Sequence, residues 1–230
     1  MPQTITYRFY LPEGQKTDVG LSFDDESFRL VLPADAPRPD WTRLGHQRCP
    51  NCPLPAETAF CPAALALALF LPAFESRVSY EKAVVEVDTP NRTIVSKTTV
   101  QSAMASLIGL ALATSGCPRT RFLRPMARTH LPFATEQETV FRALAAHLLG
   151  RFVVARLKGE QADLSLDDLK DAYAQLSTVN SALAERIRSA VTRDAALNAV
   201  IILDGFAQIA PENIECGFED ILHCFAVEGD

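Results

Sequence analysis

Apolar and polar side chains alternate with a period of two near the start of the chain, the pattern of strands with one buried face. Three such runs, Thr4 to Leu11, Thr17 to Phe23 and Ser27 to Leu32, are separated by Pro12-Glu13-Gly14 and Asp24-Asp25-Glu26. Both separators carry turn chemistry, so the pattern predicts a three-stranded meander. Residues 33 to 62 then hold seven of the 15 prolines. Such a stretch can neither pair into a sheet nor continue a helix, and it predicts a long irregular loop. Ala63 to Phe74 reads as a buried helix, interrupted at Pro72 and far short of the ~20 residues that cross a bilayer. Tyr80 to Val87 and Arg92 to Thr99 form a second hairpin pattern around Thr89-Pro90-Asn91, followed by a helix from Val100 to about Thr114 that stops at Gly116.

The period changes in the second half. Thr135 to Lys158 reads as one long helix. From Leu166 to Ala190 apolar positions recur at alternating steps of three and four (Leu169, Tyr173, Leu176, Leu183, Ile187), a heptad seam with Asn180 at an a-type position. An amide there costs stability but can fix the register against a partner helix, for which Asn198 is a candidate. Further helices are predicted from Asp194 to about Ala210 and from Glu212 to Phe225. The expected fold class is α+β. Antiparallel strands and two helices occupy residues 1–134 and a helical bundle occupies residues 135–230, the two packed as one unit.

With 48% hydrophobic and 22% charged residues the 230-residue chain can bury a substantial core, which excludes a disordered or collagenous protein. Its 22 Lys and Arg against 28 Asp and Glu give a net charge of −6, which makes a nucleic-acid partner unlikely. No secretory pattern is visible in Met1 to Tyr10, so a cytoplasmic location and no membrane association are expected. In a reducing compartment six cysteines do not form a disulfide framework, leaving metal ligation, redox chemistry or core packing.

Their positions favour a metal. Cys49, Cys52, Cys61 and Cys117 are each followed by proline, in Cys49-Pro50-Asn51-Cys52-Pro53, Cys61-Pro62 and Ser115-Gly116-Cys117-Pro118. The two-residue gap between Cys49 and Cys52 lets a tight turn aim both thiolates at one centre. Pro62 at a first helical position places Cys61 at an N-cap, and Cys117 follows the end of another helix. Four thiolates from three segments would tie the proline-rich loop to both helices, turning binding free energy into folding free energy. One close pair joined by two isolated cysteines favours a [4Fe-4S] cluster over Zn2+, although both accept four thiolates. The bland alternative is that these cysteines are small core residues. A thiol-disulfide enzyme at Cys49 and Cys52 fits poorly in a proline-rich loop.

Cys49-Pro50-Asn51-Cys52-Pro53, Thr114-Ser115-Gly116-Cys117-Pro118 and the run from Pro125 to Phe133, Pro-Met-Ala-Arg-Thr-His-Leu-Pro-Phe, resemble a family of uncharacterised bacterial proteins. The resemblance covers most of the chain and implies a lineage-specific bacterial protein. It supplies no activity and no catalytic residue.

Two charge blocks complete the reading. From Thr89 to Thr135 there is no acid, and Arg119, Arg121, Arg124 and Arg128 follow Cys117 closely; from Asp194 to Asp230 there are eight acids and no Lys or Arg. These blocks can pair internally. The arginines, with His130, can instead bind a small anionic ligand or offset the charge of a thiolate centre. His46 stands three residues before Cys49 and is a further candidate ligand. Cys216, His223 and Cys224 read as core positions on a short helix. No glycine-rich phosphate loop, nucleophile elbow, zincin motif or EF-hand is present, so enzyme activity stays undecided. The expected function is an iron-sulfur redox or sensor protein. The alternatives are a zinc-stabilised binding or scaffold protein without catalysis and, more remotely, an enzyme acting on an anionic small molecule at the arginine segment.

Overall fold

The computed structural model describes residues 3–190, 194–215, 218, 221 and 223–225. One antiparallel sheet is formed by β1 (Gln3–Tyr10), β2 (Lys16–Phe23), β3 (Lys82–Thr89) and β4 (Arg92–Thr99), in the order β2-β1-β3-β4. The two hairpins are joined through β1 and β3, where Tyr7 faces Val87 and Phe9 faces Val85. Alternation does its expected work: Ile5, Tyr7, Phe9, Val85 and Val87 are buried while their neighbours point outward.

The predicted third strand, Ser27 to Leu32, is replaced by a turn touching the sheet only through a Phe23–Leu30 bridge. Asp24 causes this. Its carboxylate accepts from the Ser27 backbone at 2.8 Å and its carbonyl from Phe28 at 2.9 Å, which curls the chain and places Phe28 at φ +53°. A left-handed phenylalanine is strained, but here it is fully buried and stacked on Phe23 with centroids 4.6 Å apart. Burial offsets the strain.

Two predicted helices have different bounds. The apolar run after Cys61 forms α1 (Pro62–Ala68) and then a 3-10 turn over Leu71–Phe74, because Pro72 cannot continue the α ladder. After α2 (Val100–Thr114) and the short α3 (Arg124–Arg128) come α4 (Glu136–Lys158), α5 (Asp167–Arg188) and α6 (Ala195–Glu215). α6 runs through Pro211 where two helices were expected. Of the predicted C-terminal helix, His223–Phe225 forms a 3-10 turn with Cys224 exposed; Cys216 lies outside the described residues.

α2, buried along nearly its whole length, packs against α6, and α6 against α5. The main core is continuous across the expected boundary at residue 134, since Val179, Leu183, Ile187 and Ala199 share one cluster with Tyr7, Phe9 and Leu107. The second half of α4 leaves Leu149, Phe152, Val153, Val154 and Leu157 exposed. Among the described residues no helix is long and apolar enough to cross a membrane.

α4 starts at a full capping box. Thr135 Oγ1 accepts from the Glu138 backbone, and the Glu138 carboxylate accepts from the Thr135 N–H at 2.7 Å. Thr135→Ala is therefore expected to lower stability by about 1 kcal/mol in urea denaturation; an unchanged midpoint would show that the cap contributes nothing.

Candidate metal centre

Each cysteine segment has a local cause. A Cys52 N–H to Cys49 carbonyl bond of 3.0 Å closes the Cys49-Pro50-Asn51-Cys52 turn. Cys61 is the N-cap of α1, as the proline after it dictates, and its N–H donates to the Thr42 carbonyl at 2.8 Å. Gly116 turns the chain out of α2 at φ +91°, a conformation strained for any residue with a side chain. The Cys117 N–H then donates to Ser115 Oγ at 3.2 Å, and buried Thr120 donates its backbone N–H to the Cys117 carbonyl at 3.3 Å.

The segments are tied to one another directly. Arg119 Nε donates to the Asn51 carbonyl at 2.9 Å, linking the Cys117 segment to the middle of the Cys49–Cys52 turn. The Asn51 amide donates to the carbonyl and side-chain oxygens of Gln175 on α5, at 2.9 and 2.8 Å. Arg48 braces the same turn by donating to the Cys52 and Leu54 carbonyls.

The residue that does most for this loop was not among the sequence candidates. Arg186 of α5 is 1% exposed, and its guanidinium donates to the carbonyls of Trp41, Arg43, Leu44 and Gln47, at 2.8 Å to Arg43 and 3.3 Å to Gln47. No carboxylate pairs with it among the described residues. Burial lowers its pKa, while the negative charge available at Cys61, Cys49 and Cys52 raises it. The signal was present in the sequence, since Arg186 follows Leu183 by three positions and precedes Ile187 on the buried stripe.

The thiols respond to one another. Burial pushes Cys49 up to about 11, and the charges of Cys61, Cys117 and Cys52 push in the same direction. Cys117 is also raised, by burial first and then by Cys61 among other groups. Cys61 is buried and the other three are half-buried against the same core. Among the described residues, however, no three Cys, His, Asp or Glu side chains are arranged to hold a metal ion. The loop is also anchored by Arg186, Asn51 and Arg119, so its order does not depend on a metal alone. His46 is engaged elsewhere, with Nε2 2.8 Å from Ser189 Oγ.

The expected anion-binding residues are dispersed. Arg119 holds the Asn51 carbonyl, and Arg128 donates to the Asp25 and Glu26 carbonyls while lying over the Phe28 ring at 5.4 Å. Arg124 and Arg121 stand near Arg29: the Arg124 pKa is lowered by burial, then by these two cations, and its Nε has no partner. Among the described residues no ion pair joins these arginines to the acids after Asp194. His130 carries no charge near neutral pH. Burial, helped by Arg142, pulls its pKa down to about 3. It forms a relay at the sheet face, with Tyr7 Oη 2.6 Å from His130 Nε2 and 3.0 Å from Ser106 Oγ, which accepts from the Phe133 N–H at 3.3 Å.

These features define an α+β protein in which a helical layer clamps a cysteine-bearing loop onto a four-stranded sheet. The chain belongs to the family described as Domain of unknown function (DUF6901), whose model matches residues 5–226. No curated protein matches it. No solved structure matches it either.

Because the native His130 pKa is depressed below that of the unfolded chain, near 6.5, the unfolded state binds the extra proton between the two values. The corresponding stability is present above pH 6.5 and is lost as the pH falls toward 3. His130→Gln, which keeps an acceptor for Tyr7, is expected to lose about 2 kcal/mol less than wild type between pH 7.5 and 4.5 in urea denaturation. Equal losses would show that His130 does not titrate in this way.

Proposed function

We propose that this chain is an iron-sulfur redox or sensor protein whose [4Fe-4S] cluster is held by Cys49, Cys52, Cys61 and Cys117. The observation that carries the reading is Arg186, a buried cation without a carboxylate partner among the described residues, close enough to Cys61, Cys49 and Cys52 for their charge to act on it. Burying an unpaired guanidinium is costly, and carbonyl dipoles compensate it only in part. Four thiolates on an oxidised cubane leave about two net negative charges, which Arg186 and the nearby Arg119 offset.

The layout in sequence, one close pair joined by two isolated cysteines, favours a cluster over a single ion. A tetrahedral Zn2+ with Zn–S bonds of about 2.3 Å draws its four sulfurs to within about 3.8 Å of one another. In a cubane each sulfur binds a different iron and the ligands stand farther apart. The zinc-stabilised scaffold is the competing reading, favoured by the compact Cys49–Cys52 turn, which suits a zinc knuckle.

Protein purified without oxygen and without a metal-binding tag is expected to be brown, with about four irons and four sulfides per chain. Colourless protein with one zinc would replace the cluster by the scaffold reading, and metal-free protein that takes up neither would overturn both. Cys117→Ser is expected to lower iron content and melting temperature, while Cys224→Ser, at the exposed cysteine, leaves both unchanged. A Cys117→Ser protein indistinguishable from wild type would remove Cys117 from the site.

A further inference from the structure

Away from the cysteines, β4, α2, α4, α5, α6 and the segment from Leu123 to Ala134 line a cavity of about 450 Å3 that is open to solvent on one side. This is the size range of small-molecule sites. Its wall is mostly apolar, with Leu110, Met126, Leu176 and Phe206 among the lining side chains, and it contains no aspartate or glutamate.

Several polar side chains interrupt the apolar wall, among them Arg142 on α4 and Tyr173 and Asn180 on α5. Arg142 fixes its Nη2 on the carbonyls of Met126 and Thr129, at 2.7 and 3.0 Å, leaving Nε and Nη1 without a protein partner among the described residues. Tyr173, 3% exposed, stands close enough to Arg142 for the two to perturb each other electrostatically, and its hydroxyl makes no hydrogen bond among the described residues. Asn180, 2% exposed, has neither its amide nitrogen nor its amide oxygen hydrogen-bonded. A buried amide with both atoms unpaired is costly, and native proteins rarely retain one without a use. The register role read from the heptad is not filled by Asn198, which donates instead to the Asp194 carboxylate at 3.2 Å.

The geometry points to this cavity as a binding site for an apolar carboxylic acid. Its carboxylate pairs with the free N–H groups of Arg142 and the Tyr173 hydroxyl, and its body lies along Leu176. Asn180 receives a second polar group toward the other end. Tyr173 and Asn180 lie two turns apart on one face of α5, about 10 Å along the helix, so a chain of about ten carbons spans the two. Among the described residues Arg142 is the only charged group in the wall at neutral pH: His130 is neutral, and the nearby Glu138 carboxylate is bound to the Thr135 N–H. The cavity therefore selects an anion over a cation of the same shape. This site is independent of whether the cysteines hold a metal.

Isothermal titration with decanoate, decylamine and 10-hydroxydecanoate, all below micelle-forming concentrations, tests the assignment on the wild-type protein. Decanoate is expected to bind one per chain and raise the melting temperature, and decylamine to bind at least tenfold more weakly. Equal binding of decanoate and decylamine, or no saturable binding of either, would overturn the site. Arg142→Gln is expected to weaken decanoate at least tenfold with its circular dichroism preserved; if that variant does not fold, the wild-type comparison of head groups still decides. 10-Hydroxydecanoate is expected to bind more tightly than decanoate, a preference that Asn180→Leu abolishes. Persistence of the preference in Asn180→Leu would remove Asn180 from ligand recognition.

Discussion

The arrangement of this protein depends on one buried cation. Arg186 reaches from the last turn of α5 into the loop before Cys49 and gathers four of its backbone carbonyls. Buried carbonyls left without donors cost about 1–3 kcal/mol each, and a loop this rich in proline has few N–H groups of its own to supply. A guanidinium suits the task because its fixed fork of five N–H donors can serve several acceptors at once and remains charged when buried. The charges of Cys61, Cys49 and Cys52 act on this guanidinium, which couples the loop anchor to the cysteine site.

α5 serves both candidate sites from different faces. Gln175, Arg186 and Ser189 hold the cysteine loop through Asn51, the four carbonyls and His46, while Tyr173, Leu176 and Asn180 line the cavity. α2 is shared as well: its body forms one wall of the cavity, and its C-terminal exit at Gly116 delivers Cys117. The Tyr7–His130 bond fastens the sheet to the segment between them. The cysteines pack on the main core, while Tyr173 and Leu176 of the cavity belong to a second apolar cluster with Val140, Leu144 and Ala207.

Much of the fold was legible because it follows from local rules. Alternation gave both hairpins, the helical pattern from Thr135 to Lys158 marked α4, and the seam from Leu166 to Ala190 marked the buried face of α5. What escaped the reading depends on distant or competing contacts. Periodicity alone cannot tell that Asp24 recaptures the chain and turns Phe28 inward, or that β1 pairs with the distant β3. The candidate site was legible as residue types and spacing, and the placement of Gly116, Cys61 and the Cys49–Cys52 turn follows from it. Arg186 was hidden because an arginine in a heptad reads as a solvated flank until the loop it serves is in view. Asn180 was noticed as an amide in an apolar seam, but that its side chain has no partner is a property of three packed helices.

The central claim is that Arg186 holds the cysteine loop in place. Hydrogen exchange on Arg186→Met reads this directly, because the loop has its own reporters in the Leu44 N–H to Ala59 carbonyl bond at 3.1 Å and the Cys61 N–H to Thr42 carbonyl bond at 2.8 Å. The account predicts that both amides lose protection in the variant while the amides between β3 and β4 exchange as in wild type. Wild-type protection of Leu44 and Cys61 in Arg186→Met would contradict it.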